Sequence, residues 1–106
     1  GYAIDHKADA DGLVHMAIIN DELQLGVALE YKKEQLPCFN EWKMLNIREY
    51  VVGLEPGKCL PVGLKAAKET GQIDHLDPNE SRYVDITYTV LDGAQEIQEF
   101  EQKMKY

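Results

Sequence analysis

A mainly antiparallel β-protein with a short helix and a C-terminal helix is what this sequence predicts, on three observations. Leu23 to Tyr31 alternates with period two, and Arg82 to Leu91 does so again with many β-branched residues. Short polar stretches (Asn20-Asp21-Glu22, Asn46-Ile47-Arg48, Asp77-Pro78-Asn79-Glu80) separate the extended runs as turns. After Asp92-Gly93 the apolar spacing lengthens from strand-like to helical.

The first twelve residues are polar and charged and end in Asp9-Ala10-Asp11-Gly12, an Asp-Gly turn signal. Leu13 to Ile19 reads as a strand, with His15 as a half-exposed, hydrogen-bonded side chain. Beyond the next turn Leu23, Leu25, Val27, Leu29 and Tyr31 share one face. Gln24, Gly26, Ala28 and Glu30 share the other, which makes a half-buried strand. Lys32-Lys33-Glu34-Gln35 connects to Leu36-Pro37, which opens the next extended piece. Cys38 to Leu45 is a strand carrying the only tryptophan. Cys38, Asn40, Trp42 and Met44 lie on one side and Phe39, Glu41, Lys43 and Leu45 on the other, so both faces are mixed.

Glu49-Tyr50-Val51-Val52-Gly53-Leu54-Glu55-Pro56 then pairs with that strand as a hairpin. Four apolar residues with a glycine among them leave no polar face before Glu55, the pattern of a strand buried on both sides. Pro56 lacks an amide hydrogen and is expected to end the ladder, leaving Glu55 at the strand's mouth. A carboxylate fixed there suits general-base chemistry; the alternative is a solvated turn residue ahead of Pro-Gly.

Pro61 and Gly71 bracket a short helix, with Leu64 and Ala67 expected inward. In the tail, Ile97, Phe100 and Met104 fall at i, i+3 and i+7, while Glu99/Lys103 and Glu101/Lys105 pair at i, i+4. That is an amphipathic helix lying on a sheet. About five strands and up to two helices are few for a self-contained sandwich and suggest a piece of something larger.

Composition narrows the function. A hydrophobic content of 44% with 28% charged residues is that of a globular chain. A net charge of −8 without a basic cluster argues against nucleic acid and anionic membrane surfaces as partners. No apolar run approaches the roughly 18 residues that span a bilayer. Cys38 and Cys59 lack CxxC spacing and are expected as free thiols in a reducing compartment, which makes the cytoplasm the expected location. His6, His15 and His75 are scattered, so no metal site is expected.

Leu36-Pro37, Glu41-Trp42-Lys43-Met44 and Tyr50-Val51-Val52-Gly53-Leu54-Glu55-Pro56 together resemble the galactose mutarotase-like (aldose 1-epimerase-like) superfamily. The similarity is to the C-terminal part of that fold, and to a bacterial branch of it that carries these blocks. It runs from about Asp5 into the final helix, through Pro78-Asn79-Glu80-Ser81-Arg82 and Val90-Leu91-Asp92-Gly93. The resemblance implies that residues 1–106 are the C-terminal part of one larger antiparallel β-sandwich domain, a supersandwich that binds a free sugar on a concave sheet face. It implies that Glu55 is the general base that takes the proton from the anomeric hydroxyl. A histidine elsewhere in the fold protonates the ring oxygen, with neither cofactor nor metal. A non-catalytic sugar or sugar-acid binding module of the same fold is the alternative.

Trp42 is then either a platform for the C–H face of a pyranose or a core aromatic. Glu41 and Lys43 project opposite to Trp42, so only one of the two sets can line the sugar-binding face; Lys43 would hydrogen-bond hydroxyls there or form a surface pair with Glu41. Lys58 stands where the branch carries an asparagine, and Leu64 where it carries an arginine, so both bear on substrate choice. The partners implied are a small-molecule sugar and the missing N-terminal portion of the fold, or further copies of the chain joined through exposed sheet edges.

Overall fold

Alternation along the sequence becomes two three-stranded antiparallel sheets in the computed structural model, which describes residues 2–4, 6–48, 50–59, 62–71 and 73–104. The elements are β1 (Tyr2–Ile4), β2 (Leu13–Asn20), β3 (Leu25–Lys32), β4 (Cys38–Leu45), β5 (Tyr50–Gly57), α1 (Leu64–Glu69), β6 (Ile86–Asp92) and α2 (Ala94–Lys103). The chain divides into two compact units, one built from residues 1–6 and 33–84, the other from residues 7–32 and 85–106.

The unit of residues 7–32 and 85–106 holds the sheet β2-β3-β6. β2 and β3 form a hairpin from Leu13↔Lys32 to Asn20↔Leu25. β3 starts at Leu25 and not at Leu23, as alternation alone suggested. The Asn20 side-chain oxygen accepts the amides of Glu22 and Leu23 at 3.0 and 3.1 Å and draws Leu23 into the turn. β6 pairs with β3 from Leu25↔Asp92 to Tyr31↔Ile86, so all of residues 33–84 lies between two strands that are direct neighbours. β6 also begins later than the β-branched run implied, at Ile86 and not at Arg82. The Arg82 guanidinium is held by the Asp74 carboxylate and the His75 carbonyl, so the chain there follows those partners instead of a ladder.

The helix α2 lies on this sheet as its period required. Ile97 is buried with Ala28 and Leu91, and Ala17, Ile19 and Phe100 pack around them. Gly93 at φ 94° turns the chain into the helix, and Glu96 reaches back to accept the Asp92 amide at 2.7 Å. The small residues Gly26 and Ala28 leave room under the helix. A β-carbon at position 26 would come within 2.9 Å of the Ile18 carbonyl oxygen. Lys105, one half of an expected ion pair, lies outside the described residues.

The other unit holds the sheet β1-β4-β5. β1, hidden in the polar start of the sequence, pairs with β4 through Tyr2↔Glu41 and Ile4↔Phe39. β4 and β5 form the expected hairpin, from Leu45↔Tyr50 to Cys38↔Gly57. Phe39, Leu36 and His6 are buried here, with the His6 ring edge-on to Phe39 at 6.2 Å. Two expectations for β5 need correction. It is not buried on both sides, since Tyr50, Val51 and Glu55 are exposed. Nor does Pro56 end it: the strand continues to Gly57, and Pro56 sits opposite Phe39. β5 is an edge strand, and an edge tolerates a residue that donates no hydrogen bond on its open side. Of the short helix only Ala67 is buried and Leu64 points to solvent, because six residues make too few turns for an inward stripe. Glu49 and Pro61 lie outside the described residues.

Candidate functional site

Antiparallel register decides which side chains share a face. Residues directly opposite point the same way, and within a strand every second residue does. Trp42 stands opposite Gly53 and Asn40 opposite Glu55. Asn40, Trp42, Gly53 and Glu55 therefore lie on one face of the β4-β5 hairpin. Glu41, opposite Leu54, and Lys43, opposite Val52, lie on the other.

Gly53 is the hinge of this arrangement. The Glu55 side chain leans back over it, so that a β-carbon at position 53 would meet Glu55 Oε1 at 3.0 Å. Lacking a side chain, Gly53 gives the carboxylate a seat directly across from Trp42. The indole is 41% exposed. Asn40 adds a carboxamide whose Oδ1 is buried and has no hydrogen-bond partner among the described residues.

The remaining residues expected at the site do not share this face. Lys43 Nζ pairs with Glu41 Oε1 at 3.1 Å on the opposite face. Lys58 lies beyond the end of β5, its Nζ 3.7 Å from Asp74 Oδ2. Asp74 also takes the Arg82 guanidinium. That hydrogen bond holds the Asp74 carboxyl below the usual carboxylate range, against the pull of partial burial, and raises Arg82 in turn. The Lys58 carbonyl accepts the Cys38 thiol at 3.7 Å, and Cys38 and Cys59 are both free thiols.

Sequence reasoning passed over Asn40 and Gly53 as site residues. A lone glycine inside an apolar strand was the available signal, since it marks a place where another group approaches the backbone closely. It also passed over a charged cluster in the other unit. His15 Nε2 donates to Asp9 Oδ2 at 2.8 Å, and Nδ1 lies 3.6 Å from Glu30 Oε2. Asp9 Oδ1 accepts the amides of Asp11 and Leu13, and the His15 bond followed by these amides lowers the Asp9 carboxyl below its ordinary value. The cluster borders a cavity of 630 Å³ between the sheet and α2, which none of the five expected site residues lines. Among the described residues no group of three or more His, Cys, Asp or Glu could hold a metal ion. No helix among them is long and apolar enough to cross a membrane.

Two antiparallel sheets, a short helix and a C-terminal helix, with a carboxylate and an exposed indole on one hairpin face, define a chain of the galactose mutarotase-like fold. It superposes with a TM-score of 0.87 and 27% identity on a candidate aldose 1-epimerase from Klebsiella pneumoniae subsp. pneumoniae MGH 78578, whose crystal structure was determined at 1.90 Å resolution. That match covers 96% of this chain and 27% of the Klebsiella chain. The chain belongs to the family DUF4432, a domain of unknown function, whose family model matches residues 1–90. No curated protein matches it.

Proposed function

We propose that this chain forms part of a carbohydrate-binding protein of the mutarotase type, from the bacterial branch with the Trp-Lys-Met and Gly-Leu-Glu-Pro blocks, in which Glu55 is the general base. The observation that carries the reading is the seating of the Glu55 carboxylate over Gly53, on the same face as the exposed Trp42. A pyranose stacked on the indole places its anomeric hydroxyl beside the carboxylate. Glu55 takes that proton, the ring C1–O5 bond breaks as an acid delivers a proton to the ring oxygen, and the C1–C2 bond rotates. Reclosure gives the other anomer. Glu41 and Lys43 act on this reading as a surface pair behind the site, and Lys58 as a support for the loop that carries Asp74. A reducing cytoplasm suits both the free thiols and a free-aldose substrate.

Anomer exchange followed by polarimetry or NMR over a panel of free aldoses tests the proposal. Glu55→Gln is expected to lose roughly two to four orders of magnitude in rate, the usual worth of a positioned general base. A variant as fast as the parent would remove Glu55 from the role. The alternative is a non-catalytic sugar or sugar-acid binding module of the same fold, which differs in whether a histidine faces Glu55 across the site. Binding of a sugar without any exchange would decide for it.

A further inference from the structure

At its open end the β4-β5 ladder finishes on Cys38↔Gly57, two residues along each strand from Asn40↔Glu55. Cys38 therefore points to the same face as Asn40, Trp42 and Glu55. Beyond Gly57 the chain leaves the ladder and bends at Lys58 and Cys59. The bend turns towards that face, since a β-carbon on Gly57 would lie 3.9 Å from the Cys59 carbonyl oxygen. The Cys38 thiol meets the bend and donates to the Lys58 carbonyl at 3.7 Å. That carbonyl belongs to the peptide leading into Cys59, so standard backbone dimensions put the Cys59 α-carbon within about 6.5 Å of Cys38 Sγ. Cys38 is half-buried, Cys59 is exposed, and both are reduced.

An exposed thiol with a second thiol beside it is how oxidant-responsive cysteines are built: the first meets the oxidant and the second resolves the product. The hairpin sets the α-carbons of Cys38 and Gly57 about 4.5–5.5 Å apart. Side-chain rotation and a small shift of the bend, with β4 unmoved, bring the two sulfurs to bonding distance. We propose that Cys38 and Cys59 are a reversible redox site, at which a peroxide drives a disulfide that latches the exit of β5 onto β4 at the rim of the Trp42–Glu55 face, whatever that face binds. The Cys59 thiolate attacks one peroxide oxygen, the O–O bond breaks, and the departing hydroxide takes up a proton and leaves as water. The sulfur of Cys38 then attacks the sulfenic sulfur, the S–O bond breaks and a second water leaves. Two thiols give up two electrons and two protons, and hydrogen peroxide accepts them. A small dithiol reverses the bond by exchange, so in a reducing compartment the pair rests as the thiols seen in the structure.

Treatment of the full-length protein with a slight excess of hydrogen peroxide, then alkylation, trypsin and mass spectrometry, tests this. Cleavage after Lys33, Lys43, Lys58 and Lys65 places Cys38 on residues 34–43 and Cys59 on residues 59–65. The two peptides are expected to appear joined, with the loss of two hydrogens, and to separate again after dithiothreitol. The oxidised parent should also unfold at a higher urea concentration than the reduced one, because the bond closes residues 39–58 into a ring and restricts the unfolded chain. Cys59→Ser should show neither the joined peptides nor the gain. Both thiols still open to alkylation after peroxide, a bond from either to a different cysteine, or separate sulfinic acids on the two overturns the proposal. So does a joined pair whose unfolding midpoint is no higher than that of the reduced protein, since the bond would then latch nothing.

Discussion

At the scale of single residues, the candidate site depends on what Gly53 lacks. Its missing side chain seats the Glu55 carboxylate, so Gly53→Ala should push that carboxylate aside by a few tenths of an ångström while the strand survives. The expected result is a roughly tenfold loss of anomer exchange with an unchanged unfolding midpoint, since small misplacements of a reacting group are costly. Asp9 makes a second prediction. Its carboxyl is held below its ordinary value by His15 and two backbone amides, so its contribution to stability is complete above the ordinary value of 3.8. It is lost as pH falls through the lowered value in the folded chain. Asp9→Asn should therefore be less stable than the parent near neutral pH, and the difference should shrink below pH 3.8 in urea melts at stepped pH. Parity along β4 was legible in the sequence and separated Trp42 from Glu41 and Lys43. That Glu55 joins the Trp42 face was not, because it depends on the register across the turn, and a one-residue slip would have sent it to the other side.

At the scale of elements, periodic patterns translated well and boundaries less so. Cys38–Leu45 and the amphipathic tail formed as their spacing demanded, because in each a side-chain pattern and a turn signal agreed. Leu23 and residues 82–85 left their strands because side chains of Asn20 and Arg82 offered the backbone other partners, which a pattern of apolar residues does not record. β5 misled for a different reason. Its apolar run marked a strand correctly, but burial is set by neighbours, and an edge position leaves Tyr50 and Val51 exposed. Packing between β3 and α2 supplies two predictions for denaturant unfolding. Ile97→Ala removes the side chain that covers Ala28 and Leu91 and should cost about 2–4 kcal/mol. Gly26→Ala drives a methyl group against the Ile18 carbonyl and should cost about 1–3 kcal/mol.

At the scale of the whole molecule, the order of segments matters as much as the sheets. Each unit is assembled from two separated stretches of chain, so β3 and β6 must find one another across residues 33–84. Closing so long a loop costs about 2–3 kcal/mol more than closing a tight turn, and pairing of that range slows folding. Replacing residues 33–84 by Asn-Gly, the strongest two-residue hairpin signal, should join Lys32 to Asp85 and keep the register from Tyr31↔Ile86 onward. The expected product is a miniature of β2, β3, β6 and α2 that unfolds cooperatively in urea, with slowed amide exchange at Ala28 and Leu91. The adjacency of Tyr31 and Ile86 carries a consequence for the family's history. A stretch that leaves and rejoins a sheet at one hairpin tip can be lengthened, swapped or rebuilt as a cassette, so a lineage could remodel the β4-β5 hairpin while inheriting the β2-β3-β6 sheet unchanged.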